Sequence, residues 1–150
     1  MKVLHLLWNL GTGGIETMLV DIVNRQVASP DIEMVSIIVV NDIAQQSIVS
    51  KIDKRVKVFA YNRKKGSRSL WPIIKLNKYL YALKPDVIHF HAPSIKRMVM
   101  HPAKKVLTIH TTGYKSEVGR AFDALFAISN AVREEWLIFS VESQYYGLCA

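Results

Sequence analysis

With 150 residues, half of them apolar, the chain can bury one proper core but is too short for two ordinary domains. Its single cysteine, Cys149, excludes an intrachain disulfide and thiolate metal chemistry, which points to a reducing, cytoplasmic setting. No run of about 18 apolar residues is present to span a membrane, and the net charge of +8 is unevenly spread.

The first apolar run, residues 3–8, is short and leads into glycines without a small-residue cleavage pattern, so it reads as a buried strand and not as a signal peptide. Gly11-Thr12-Gly13-Gly14-Ile15-Glu16 follows, and residues 16–27 carry helical spacing. A glycine turn between a strand and a helix lets backbone N–H groups approach a phosphate unobstructed, at the positive end of the helix dipole. The same turn also serves as a tight connection that binds nothing. The dinucleotide fingerprint requires glycine where Glu16 stands, so an NAD site is disfavoured. An acid in the first helical turn gains about 0.3–1 kcal/mol from the dipole, and Glu16 would repel a phosphate placed too near, leaving the glycine amides to meet it.

Further strand-like runs lie at residues 34–40, 56–61, 87–91, 105–110 and 125–128. Helical spacing marks residues 43–52, 70–83 and 130–139, with a short piece near 94–100. Strands apolar on both faces that alternate with helices indicate an α/β, doubly wound, mostly parallel sheet with helices on both faces. Ligands bind such sheets at the carboxyl ends of the strands, which gathers the glycine loop, His89, His91, His110 with Thr111 and Thr112, and Ser129 along one rim.

Between Tyr61 and Lys84 stand Arg63, Lys64, Lys65, Arg68, Lys75, Lys78 and Lys84, with no acid. Residues 63–69, around Gly66, read as the most mobile stretch, and Pro72 suits the start of the next helix. Ile73, Leu76, Leu80 and Leu83 form a stripe for packing on the sheet, leaving Lys75, Lys78 and Tyr79 outside. That outer face is either an ordinary solvated one or a surface for an anionic membrane, where each cation contributes about 1 kcal/mol and Trp71 and the tyrosines suit the headgroup layer. Nucleic acid is disfavoured, because no recognition helix or stacking motif accompanies the charge.

His89 and His91 share one face of their strand. A metal pair needs a third ligand, and no acid or histidine follows closely in sequence, so no metal is expected. His89 reads as a core histidine bonded to backbone, and His91, last on the strand, as the one that faces a cleft. His110 ends its own strand before Thr111-Thr112-Gly113, where a neutral imidazole can exchange a hydrogen bond with a sugar hydroxyl or serve structure alone. Ser129 or Asn130 caps the last helix, and no neighbouring base activates the Ser129 hydroxyl.

Gly13-Gly14-Ile15-Glu16 after the first strand, Pro85-Asp86-Val87-Ile88-His89-Phe90-His91, Thr108-Ile109-His110-Thr111 and Phe122-Asp123-Ala124-Leu125-Phe126-Ala127-Ile128-Ser129-Asn130 occur here in one order. Together they resemble the N-terminal half of family 4 glycosyltransferases, retaining enzymes of the GT-B fold that build lipopolysaccharide, capsule and other glycans. The resemblance implies one Rossmann-like, acceptor-side domain over residues 1–150, with the C-terminal nucleotide-sugar domain absent and residues 141–150 as the remnant of the crossing to it. It implies transfer from a nucleotide-sugar to a glycan or lipid-linked acceptor, without metal or other cofactor; the basic stretch, where it docks on an anionic surface, would put a cytoplasmic protein at the inner face of the membrane. Gly13 and Gly14 would approach the donor diphosphate with Glu16 beside them, His110 would face the transferred sugar, and His91 and Thr111 would line the same site. Cations and helix ends would stabilise the departing diphosphate. Such a chain alone is expected not to turn over and to self-associate through its open cleft face. The alternatives are a non-catalytic module that binds a phospholigand or a protein, and a fragment of a GT-B-like sugar-nucleotide epimerase.

Overall fold

The computed structural model describes residues 1–41, 43–64, 69–114, 116–139 and 146–148. Lys65, Gly66, Arg68 and Cys149 lie outside the described residues, as do residues 141–145. Seven strands form one sheet: β1 (Lys2–Leu7), β2 (Met34–Asn41), β3 (Lys57–Arg63), β4 (Val87–Phe90), β5 (Lys104–Ile109), β6 (Ala124–Ala127) and β7 (Tyr146–Leu148). Their order is β3-β2-β1-β4-β5-β6-β7, and every pairing is parallel. The order reverses direction between β1 and β4, the switch point at which doubly wound sheets open a crevice.

Alternation of side chains sorts the strands onto two cores. On one face Leu4, Leu6, Ile88, Phe90, Leu107 and Ile109 pack beneath α3 (Trp71–Leu83), a 3₁₀ helix over Pro93–Met98, and α5 (Asn130–Phe139). On the other, Leu7, Val35, Ile37 and Val39 pack beneath α1 (Gly14–Ala28) and α2 (Gln46–Val49). The doubly wound architecture expected from the hydrophobic runs is therefore present. A short α4 (Ser116–Gly119) precedes β6.

Three local expectations change. The helix expected at residues 43–52 contracts to α2, because Leu10 bridges Ala44 and exchanges backbone hydrogen bonds with Ile43 and Gln45, drawing that stretch out alongside the glycine loop. Tyr79 does not stand outside α3. Its ring packs on Phe59 at 4.5 Å, and Tyr81 takes the exposed position instead. Ser129, and not Asn130, caps α5, through its hydroxyl and its carbonyl.

Candidate functional site

The glycine loop leaves β1 on the carboxyl edge of the sheet and opens α1. Gly13 is the N-cap, in extended backbone, and no side chain caps the helix, so the first-turn amides stay available. Thr17 closes the first turn on the Gly13 carbonyl through both its N–H and its hydroxyl. Glu16 folds back over the loop. Its carboxylate accepts a hydrogen bond from the Gly11 N–H at 3.4 Å, and Oε2 would lie 2.7 Å from a Cβ on Gly13. A Cβ on Gly14 would meet nothing within 4 Å, so the approach to the helix end is open on that side.

Beside this loop runs a column of imidazoles. His5 lies between Leu4 and Leu6 on β1, which turns it to the α1 face, and pairs in register with His89 on β4. His91 stacks on His89 with ring centroids 4.7 Å apart and planes 20° apart. His5 Nε2 meets Gln26 Oε1 of α1 at 2.7 Å, and its Nδ1 meets His91 Nε2 at 3.1 Å. His91 Nδ1 meets His110 Nε2 at 3.3 Å. Because this chain begins on α1, His110 stands on the same face of the sheet as the glycine loop's helix. The two features the sequence singled out therefore share one wall.

The members differ in exposure. His5, His89 and His91 are buried, and His110 is half-buried. His91 thus does not face a cleft as expected: it is buried, with His110, the residue after β5, bonded to its Nδ1. His89 is a core histidine, but it bonds the Thr108 hydroxyl at 2.6 Å and not backbone. Thr111 is exposed in the following loop, with its hydroxyl on the Thr112 carbonyl. Gly113, at φ +87°, donates its N–H to Glu135 of α5 at 2.7 Å, which ties that loop to the helix.

Burial keeps the column neutral. Desolvation pushes His5 down to about 4, with the Gln26 hydrogen bond working in the opposite direction. His89 and His91 are lowered well below the ordinary histidine range, first by desolvation and then by their neighbouring imidazoles. His110 is lowered by desolvation, and the Glu16 carboxylate opposes the shift. Glu16 therefore acts electrostatically on both the glycine loop and His110.

His5 supplies the third imidazole that the sequence did not reveal, and nitrogens of His5, His89 and His91 lie within 4.8 Å of one another. The nearly parallel His89 and His91 rings do not suit a metal, since ligand lone pairs lie in the ring planes and stacked planes do not converge on one point. His5 and Gln26 were not singled out from sequence. The available signal was a histidine inside an otherwise apolar strand, which demands a buried partner.

The fold is shared with larger proteins. It superposes on a lipopolysaccharide outer core galactosyltransferase, WaaB, with a TM-score of 0.70 at 15% identity, over 98% of this chain and 44% of that one. The Anabaena protein Alr3699/HepE, solved with UDP and glucose, gives 0.67 at 15% identity over 99% and 44%. A UDP-N-acetylglucosamine 2-epimerase gives 0.69 at 15% identity over 99% and 47%. The chain spans less than half the length of these structures. No curated protein sequence matches it. The model of Glycosyltransferase Family 4 matches residues 12–144, from the glycine loop past α5. With that match covering most of its length, the chain belongs to glycosyltransferase family 4.

Proposed function

We propose that these residues form one wall of a retaining glycosyltransferase site, which moves a sugar from a nucleotide-sugar to a glycan or lipid-linked acceptor in cell-surface polysaccharide or lipopolysaccharide synthesis. The observation that carries this reading is the common wall of the α1 N-terminus and His110 in a chain of this family. The amides at Gly13 and Gly14 take the donor diphosphate, where the helix dipole offsets charge developing on the leaving group. Glu16 must swing off the loop or stand beside the phosphate. His110 and Thr111 meet the sugar by hydrogen bonds, and neutral His110 adds no charge that would compete with the loop for the diphosphate.

Support for a UDP-sugar donor comes from HepE, which was solved with UDP and glucose and with UDP-glucose. The epimerase neighbours favour a second reading, in which the same loop holds a UDP-sugar that is isomerised and not transferred. Turnover belongs to the whole protein, since the chain spans 44% of the transferase structures. The isolated 150 residues should therefore give no sustained transfer, and sustained turnover by them would refute this part of the proposal.

Gly14→Ala separates site from scaffold. Gly14 has no positive φ and a Cβ there meets open space, so folding is unharmed while a methyl group intrudes on the phosphate approach. In a full-length polypeptide carrying this chain, Gly14→Ala should weaken transfer from a panel of UDP-sugars at unchanged thermal stability, and His110→Ala should weaken it too while lowering stability, because buried His91 Nδ1 loses its partner. Full activity in both variants would overturn the assignment, and isomerised donor without transfer would select the epimerase reading.

The same reading places the protein at the inner face of the membrane through α3. Trp71, Ile74 and Tyr81 are 70%, 55% and 54% exposed on the helix that carries exposed Lys75 and Lys78. An amphipathic surface of this kind adsorbs to anionic headgroups. No described helix is long and apolar enough to cross a membrane.

A further inference from the structure

We propose that Gln26, His5 and His91 are positioning residues that fix the tautomer of His110, holding its proton on Nε2 and leaving the Nδ1 lone pair as the acceptor presented to a ligand. The role of that lone pair in binding rests on the proposed function, whereas the tautomer itself does not.

Four groups stand in line from α1 to the end of β5, joined at 2.7, 3.1 and 3.3 Å. The rings that bond each other have centroids 5.4 and 5.5 Å apart and planes only 26° and 27° apart. Those separations come close to the nitrogen-to-nitrogen distance plus the radii of the two rings, the largest value such a contact allows, so each pair meets edge to edge, as an N–H···N bond requires. An amide oxygen only accepts, so His5 must donate from Nε2 to Gln26. A neutral imidazole carries one N–H, which makes His5 Nδ1 an acceptor and His91 Nε2 its donor. The same step repeats at His91, whose Nδ1 accepts from His110 Nε2. Every bond in the chain is satisfied with one proton per ring, and the polarity is set at the Gln26 end.

At the other end, His110 Nδ1 has no hydrogen-bond partner among the described residues, and the half-buried ring gives it a route to a ligand. A ligand hydroxyl that donates there is matched, and a group that can only accept is rejected. Burial of His5 and His91 keeps a second proton out of the chain. Glu16 is the charged group that acts on His110, and its carboxylate is held by the Gly11 N–H. It attracts a proton to the ring as a whole without entering the line of hydrogen bonds.

Long-range ¹H–¹⁵N correlation spectra of the ¹⁵N-histidine-labelled 150-residue chain at neutral pH test this directly. The expected pattern is pyrrole-type Nε2 and pyridine-type Nδ1 resonances at His5, His91 and His110. Gln26→Leu should shift both His110 nitrogens toward values averaged between tautomers. Gln26→Glu should restore the single-tautomer pattern, because a carboxylate also only accepts, and Glu16→Gln should leave it in place. A wild-type His110 with its proton on Nδ1, or averaged, overturns the proposal, as does a Gln26→Leu spectrum identical at His110 to wild type. If Gln26→Leu fails to fold, the wild-type and Gln26→Glu spectra still decide. An intact tautomer pattern in a protein that binds no nucleotide-sugar would sink the proposed function and leave this inference standing.

Discussion

Acid should weaken this protein well before its carboxylates are protonated. His5 is held down to about 4 against an ordinary 6.5, so between those values the unfolded chain binds a proton that the folded chain refuses. The folded state therefore carries fewer protons, and stability is full above the ordinary histidine range and falls as pH drops through it, levelling once His5 itself protonates. The complete loss from His5 is about 3 kcal/mol, most of it reached by about pH 4.5. His89, His91, His101 and His110 are all lowered as well and add in the same direction. Asp53 and Asp123 are held below the ordinary carboxylate value of 3.8, so their stabilising charge is present throughout this window and lost only at lower pH.

Urea unfolding followed by tryptophan fluorescence at about pH 7 and pH 4.5 measures the effect. With a urea dependence of about 1–3 kcal/mol per molar, a loss of about 3 kcal/mol moves the midpoint by about 1 M or more. His5→Gln removes the titrating group while keeping a polar side chain between Gln26 and His91, and should shrink the acid shift by most of that amount. Coincident midpoints at the two pH values, or an undiminished shift in His5→Gln, would refute the reasoning that burial keeps the column neutral.

Three further outcomes are expected. Gly119→Ala should cost about 1–3 kcal/mol, because its Cβ would lie 2.6 Å from the buried Trp136 ring and 3.0 Å from Leu125, and an unchanged thermal midpoint would show that the indole can move aside. Thr108→Val keeps shape but removes the partner of buried His89 Nε2, and should destabilise by about 1–3 kcal/mol in the same melting experiment, with no loss refuting the hydrogen bond as a source of stability. Lys75→Gln with Lys78→Gln should weaken sedimentation with anionic vesicles about thirtyfold at low salt and leave neutral vesicles unbound, and unchanged anionic binding would remove α3 as the docking surface.

The layered architecture was legible because buried parallel strands are apolar on both faces, a pattern that a helix face does not imitate over residues 34–40 or 105–110. The glycine loop and His110 were legible from their positions at strand ends, which the α/β rule places on one rim. What sequence did not disclose depended on neighbours distant along the chain. The contraction of α2 follows from Leu10 pairing with residues more than thirty positions away, and Tyr79 turns inward because β3 brings Phe59 to it. His91 and His89 were assigned from spacing within one strand. Their actual partners, His5, His110 and Thr108, come from the strands on either side, and register between parallel strands is set by crossovers that no local window contains.

The imidazole column also explains a cost that packing alone would have avoided. An apolar residue at position 5 would fill the same space on the α1 face without asking α1 for a hydrogen bond, and would remove the His5 share of the acid sensitivity worked out above. The polar alternative links Gln26, twelve residues beyond the glycine loop's last glycine, to the residue at the end of β5. Through Gln26 the helix whose first turn is open to a phosphate is coupled to the ring beside it, so a tilt of α1 that loosens the loop would also break the first bond of the chain. One wall of the proposed site is thereby braced from behind by Gln26, His5 and His91, so its amide and imidazole ends are tied by side-chain bonds between the elements and not only through the loops that carry them.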